Sequence, residues 1–140
     1  MPAFKIAVIG GDGIGPEITE QALRVLKLIE QKRDVKFDCI DGPFGASAYF
    51  SHGKSFPDET KALCDSADAI LKGPIGLSHE ESEKIPVEER PERGALLPMR
   101  RRLNTYANFR PICLPAGMAH FSPLKKEVVG EPLKVGMRPG

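Results

Sequence analysis

A short apolar run, Lys5 to Ile9 (KIAVI), leads directly into Gly10-Gly11-Asp12-Gly13-Ile14-Gly15 and then Pro16. This junction constrains the fold more than any other stretch. A β-branched run of this length reads as a buried parallel strand. The glycines turn the chain, and Pro16 is suited to the first helical position. Glu17 and Glu20 follow, in the first turn or close behind it, where the helix dipole favours acids. Ile18, Ala22, Val25, Leu26 and Ile29 recur at helical spacing, which predicts a helix to about Glu30 with one buried stripe. Strand, tight turn and helix together point to an α/β fold.

The same junction raises a phosphate-site reading. The dinucleotide fingerprint requires G-x-G-x-x-G, whereas the glycines here stand at 11, 13 and 15. A P-loop requires Gly-Lys-Ser/Thr, and no Lys is present. Both standard motifs fail. A glycine turn at a helix N-terminus can still hold an anion through backbone amides, but the acids just inside the helix oppose a phosphate placed directly on it. A purely structural turn is the other reading.

Further strands are expected at Val35–Asp41, which alternates, and at Asp68–Leu71, a buried run. Gly42 to Gly45 reads as a turn, Ala46 to Ser51 as one or two helical turns, and Pro57 to Ser66 as a further helix. The strand at Asp68–Leu71 ends in Lys72-Gly73-Pro74-Ile75-Gly76, a second turn at a strand's carboxyl end. Ligands of open α/β sheets gather at such ends, so the two turns should border one site. Residues 77–92 are polar and acidic with no periodicity, and read as a surface loop, either a plain solvated loop or a lid. His52, His79 and His120 have no neighbouring ligand in sequence and read as ordinary surface histidines.

The chain has 140 residues and a net charge of +1, with 41% hydrophobic and 28% charged residues. That balance fits a soluble globular chain and gives no electrostatic case for nucleic acid or a membrane surface. No apolar run approaches membrane-spanning length. Three widely spaced cysteines (Cys39, Cys64, Cys113) suggest neither a disulfide framework nor a zinc site, which favours a reducing, cytoplasmic setting.

Arg93 to Pro111 (RGALLPMRRRLNTYANFRP) carries Arg93, Arg100, Arg101, Arg102 and Arg110 among apolar residues. A helix is expected from about Gly94 to Leu103 and a strand from about Thr105 to Ile112. Leu96 and Arg100, four apart, then share one helical face. Guanidinium forks from a helix and a strand suit a small molecule with carboxylates. A solvated basic face is the alternative for Arg101 and Arg102. A nucleic-acid patch is disfavoured by six acids in residues 79–93.

Three stretches resemble the isopropylmalate dehydrogenase branch of the β-decarboxylating dehydrogenases: Gly11 to Glu17, the Gly73–Gly76 step, and Pro91-Glu92 through Tyr106-Ala107-Asn108-Phe109-Arg110-Pro111. The resemblance implies the first part of an isopropylmalate dehydrogenase-like fold. Residues 1–99 would form the first half of the large cofactor-binding domain, and residues 100–140 the start of a second, substrate and dimer domain, truncated here. It implies that Arg100 and Arg110 hold the carboxylates of a small hydroxy-dicarboxylic acid, with Leu96 lining the isopropyl pocket. Ile14, Ile75, Gly76 and Glu92 would border NAD, Glu92 standing between cofactor and substrate. Isocitrate enzymes carry Ser and Asn where Gly94 and Leu96 stand, so an apolar substituent is favoured. The implied reaction is NAD-dependent oxidative decarboxylation of 3-isopropylmalate in leucine biosynthesis, by a cytoplasmic homodimer. Isocitrate, homoisocitrate, and tartrate or malate are the alternative substrates of the same branch.

The family's third substrate arginine, its catalytic Tyr and Lys, and the aspartates that bind Mg2+ or Mn2+ belong to later blocks that this sequence lacks. No catalytic residue and no metal ligand is therefore assigned in this chain. Arg138, in Arg-Pro-Gly, lacks the context of the third arginine. The resemblance thus implies the N-terminal part of a larger enzyme, inactive by itself, and leaves the choice between NAD and NADP to residues elsewhere. Two other classes remain open, a non-catalytic chain that binds a full-length partner and a simple nucleotide- or anion-binding module.

Overall fold

The structure, a computed structural model, describes residues 1–110 and 120–124 and the backbone of 136–139. The chain divides into two compact units, Met1–Leu103 and Asn104–Gly140, which are taken separately.

The first unit is α/β. Strand β1 (Ala3–Ile9) lies between β2 (Lys36–Asp41) and β3 (Ala69–Lys72), all parallel. Helix α1 (Gly15–Lys32) begins as expected, with Pro16 in its first positions, Glu17 in its first turn and Lys32 in its last. Its buried stripe is not the expected one. Gly15 and Thr19 are buried, whereas Ile18, Val25 and Ile29 are exposed. Ala22 and Leu26 of the expected stripe are half-buried.

The main core cluster lies on the face of the sheet that Ala7 and Ile9 share, while Ile6 and Val8 are buried on the other. Ala7, Ile9, Phe44, Phe56, Cys64, Ala95 and Met99 form the cluster, with Leu63, Ile70, Ile75, Leu96 and Leu103 packed around them. The surrounding elements are α2 (Ala46–His52), α3 (Asp58–Ser66) and α5 (Leu97–Arg102). Phe44 and Phe56 meet edge to face at 5.2 Å. Thr60, fully buried, donates to the Pro43 carbonyl at 2.7 Å and so closes the turn at residues 42–45 onto α3.

Residues 77–92 hold more structure than an aperiodic loop. Ser78 and Glu81 make a capping box on α4 (His79–Ser82). A 3-10 turn follows at Val87–Glu89, and Ile85 is buried. The Ser55 N–H donates to Glu89 Oε2 at 2.8 Å, and the Ser55 hydroxyl donates to the Glu89 carbonyl. These bonds anchor the end of the segment. The expected helix from Gly94 starts earlier, as a wide π turn at Pro91–Leu96 that runs on into α5. Pro91 opens this turn. A side chain on Gly94 would come within 2.8 Å of the Glu89 Cα, so only glycine fits where the wide turn meets the preceding segment.

In the second unit β4 (Ala107–Arg110) pairs antiparallel with β5 (Gly136–Pro139). The expected strand from Thr105 is present in shortened form. Its expected end at Pro111 and Ile112, and Cys113, lie outside the described residues. Ser122 to Leu124 are described, and the Leu124 N–H donates to the Ser122 hydroxyl at 3.2 Å.

Candidate functional site

Strands β1 and β3 pair in register from Ile6 with Ala69 to Ile9 with Lys72, so their carboxyl ends lie side by side. The turns that follow them share one edge of the sheet. Their backbones touch. The Asp12 N–H donates to the Pro74 carbonyl at 2.9 Å. A side chain on Gly11 would strike that same carbonyl, and the residue sits at φ +77°, which favours glycine.

Asp12 joins three segments at this edge, and it is only 4% exposed. Its Oδ1 accepts the Ser47 N–H at 2.8 Å, and its Oδ2 accepts the N–H groups of Ala46 and Gly76, both at 3.0 Å. Ala46 and Ser47 open α2, whose own N-cap residue, Gly45, has no side chain to offer. Asp12 therefore caps a helix 34 residues away, with the sign that a helix N-terminus favours. Gly45, at φ +85°, is held close, since a Cβ there would lie 2.5 Å from Oδ2. The Ser47 hydroxyl lies 3.3 Å from the carbonyls of both Gly11 and Phe44. Sequence reasoning passed over Asp12 as one letter of a glycine turn. The available signal was a helix beginning Gly45-Ala46 with no Ser, Thr, Asp or Asn to cap it.

The structure brings several of the sequence-predicted residues together. A Cβ on Gly76 would stand 3.9 Å from Glu92 Oε1, so the π turn passes over the second glycine turn. Ile75 and Leu96 pack against the same core cluster. Leu96 is half-buried, and Arg100, exposed, lies one helical turn further on. Ile14 stands 61% exposed at the start of α1, at the same sheet edge. Arg110 is exposed in β4 and belongs to the second unit.

Lys72, at the end of β3, adds a charge that sequence reasoning did not single out. Its ammonium donates to the Gly73 carbonyl at 2.6 Å. Burial first, and the Arg100 guanidinium second, push it below the ordinary lysine value, while Asp12 acts in the opposite sense. Arg102 is occupied otherwise. Its Nε and Nη2 meet the Asp65 carboxylate at 2.7 and 2.5 Å, a fork that ties α5 to α3. This pair holds the Asp65 carboxyl below its ordinary value. Arg101 is exposed. His52 lies beside Ser51 and Glu59 on the surface, and His79 beside Glu83. Among the described residues no group of three or more His, Cys, Asp and Glu could hold a metal ion, and no helix is long and apolar enough to cross a membrane.

A family model described as isocitrate/isopropylmalate dehydrogenase matches residues 5–136. The chain belongs to the isocitrate/isopropylmalate dehydrogenase family. It is 45% identical over 127 residues to the 3-isopropylmalate dehydrogenase of Thermotoga maritima, covering 91% of this chain and 35% of that protein. It is 46% identical over 126 residues to that of Geobacter sulfurreducens, covering 90% and 34%. The chain therefore spans about a third of the length of these curated relatives. Among solved structures, a β-decarboxylating dehydrogenase of Thermococcus kodakarensis in apo form aligns with a TM-score of 0.64 at 26% identity, covering 98% of this chain and 34% of that one. An isocitrate dehydrogenase of Methylococcus capsulatus aligns with a TM-score of 0.58 at 31% identity, covering 77% and 28%. The fold of this isocitrate/isopropylmalate dehydrogenase chain is thus the first part of that family's α/β architecture, with a parallel sheet and no Rossmann fingerprint.

Proposed function

We propose that this chain is part of an NAD-dependent enzyme that oxidises 3-isopropylmalate and removes its β-carboxylate, giving 2-oxoisocaproate in leucine biosynthesis. The observation that carries the reading is the approach of Gly76 to Glu92, with Ile75 and Leu96 packed on one core cluster, at the carboxyl edge of a family-matched sheet. Arg100 and Arg110 position and neutralise the acid's carboxylates, as planar forks suit. Leu96 selects the isopropyl group by apolar contact. Ile14, Ile75, Gly76 and Glu92 border the dinucleotide.

Mg2+ or Mn2+, when bound, would supply Lewis-acid chemistry to the reaction. Its ligands, and the catalytic Tyr and Lys, belong to the rest of the enzyme. Residues 1–99 would then belong to the cofactor domain and residues 100–140 to the substrate and dimer domain of a cytoplasmic homodimer. On this reading residues 1–140 alone do not catalyse the reaction.

One observation favours a second reading. Lys72, beside Arg100, offers a cation to a third carboxylate, as isocitrate or homoisocitrate would carry. Replacing Leu96 by Asn in the full-length protein separates the two. On the first reading kcat/KM for isopropylmalate falls about tenfold or more, as expected where apolar contact gives way to an unpaired amide. An unchanged value would remove Leu96 from the pocket.

A further inference from the structure

We infer that Asp12 is a positioning residue for the dinucleotide, acting through Gly76 and α2 rather than by touching the cofactor. The inference rests on the functional reading above, in which Gly76 borders the cofactor. One carboxylate accepts N–H bonds from Ala46, Ser47 and Gly76, and the Asp12 N–H is itself bonded to Pro74. Both ends of the Pro74-Ile75-Gly76 step are therefore tied to the same residue.

Gly76 sits at φ +128°, a conformation that its own chain does not enforce. Its N–H is committed to Asp12, so the turn offers a ligand its shape and not that donor. Shape held by one carboxylate fails when the carboxylate changes.

The acid-binding side is held differently. Ala95 and Met99 are buried in the core and fix the helix that carries Leu96 and Arg100. Loss of the Asp12 carboxylate should therefore separate cofactor binding from acid binding.

The test is NADH affinity by fluorescence titration, together with isopropylmalate kinetics, in the full-length protein and in Asp12→Asn. Asparagine keeps the size but turns one acceptor into a donor, facing a backbone N–H. The expected result is a rise in NADH Kd of about tenfold, in keeping with a small misplacement of a binding turn. The KM for isopropylmalate, and kcat at saturating cofactor, should change by less than about twofold. A purely structural role would lower the thermal midpoint and leave NADH Kd unchanged in the folded protein, and that result overturns the inference alone. Failure of the unsubstituted protein to bind NADH overturns it together with the functional reading. If Asp12→Asn does not fold, Asp12→Glu tests the same link. It keeps the charge but moves the carboxylate by one methylene, out of register with the N–H groups of Ala46, Ser47 and Gly76. It should raise NADH Kd about threefold or more, and an unchanged value in the folded protein overturns the inference.

Discussion

Asp12 precedes α1 and Val25 lies beyond its middle, and their surroundings differ sharply. Asp12 is 4% exposed and accepts three backbone N–H bonds at the carboxyl edge of the sheet. Val25, on α1, is 55% exposed, and Ile18, Leu28 and Ile29 are exposed with it. A recess of about 390 Å³ opens where α1 meets β2, lined by Leu23, Leu26, Phe37 and Cys39 among others. The edge is specified from within these residues, while the flank displays apolar surface that they do not cover. Position in a binding edge demands fixed backbone, and fixed backbone demands satisfied polar groups. An apolar stripe makes no such demand on its own chain.

The contrast can be broken most forcefully at Asp12. Asp12→Ala leaves three N–H groups without their acceptor and should destabilise the full-length protein by about 2–4 kcal/mol, read from its thermal midpoint. A loss under 1 kcal/mol, the ordinary value of a single net hydrogen bond, would show that water replaces the carboxylate. Thr60→Val tests the neighbouring turn. It removes one buried bond to the Pro43 carbonyl and should cost about 1–2 kcal/mol in urea unfolding.

Arg102 gives a smaller effect with a defined pH dependence. Because Asp65 is held below its ordinary value in the fold, the pair stabilises above the unfolded carboxyl pKa and is lost as pH falls through the folded one. Arg102→Met should therefore lower the thermal midpoint slightly near neutrality. The difference from the parent should begin to shrink below the ordinary carboxylate value, about pH 4, and vanish only once the pH has fallen below the lowered value of Asp65. A difference that persists in acid would assign the effect to packing of the arginine stem. Smallest of all is Val25→Ser. At its observed exposure it should shift the urea midpoint of residues 1–140 by less than the equivalent of about 0.5 kcal/mol. The same substitution costing more in the full-length protein would show that the flank is covered there.

Much of this was legible in residue order. The KIAVI run, the glycine turn and Pro16 located β1 and α1 correctly, because local sterics and helix-end chemistry decide them. The shared edge of the two glycine turns followed from strand direction alone. What the sequence hid was long-range. The bond from Asp12 to residues 46, 47 and 76 spans up to 64 positions, and periodicity carries no trace of it. The π turn at Pro91–Leu96 widens a helix that 3.6-residue spacing places three residues late. The α1 stripe was read correctly as apolar and wrongly as buried, since spacing tells which residues seek cover and not whether it is present. Lys72 gained interest only once the fold set it beside Arg100.

The central claim is that this sheet edge takes up NAD and an acid with an apolar arm. Its most direct test is the ratio of kcat/KM for 3-isopropylmalate to that for isocitrate, measured by NADH formation in the full-length protein. The account predicts preference for isopropylmalate by about a hundredfold or more, the scale of discrimination when a charged group meets an apolar pocket. A preference for isocitrate would contradict it, and would move the deciding contact from Leu96 to Lys72.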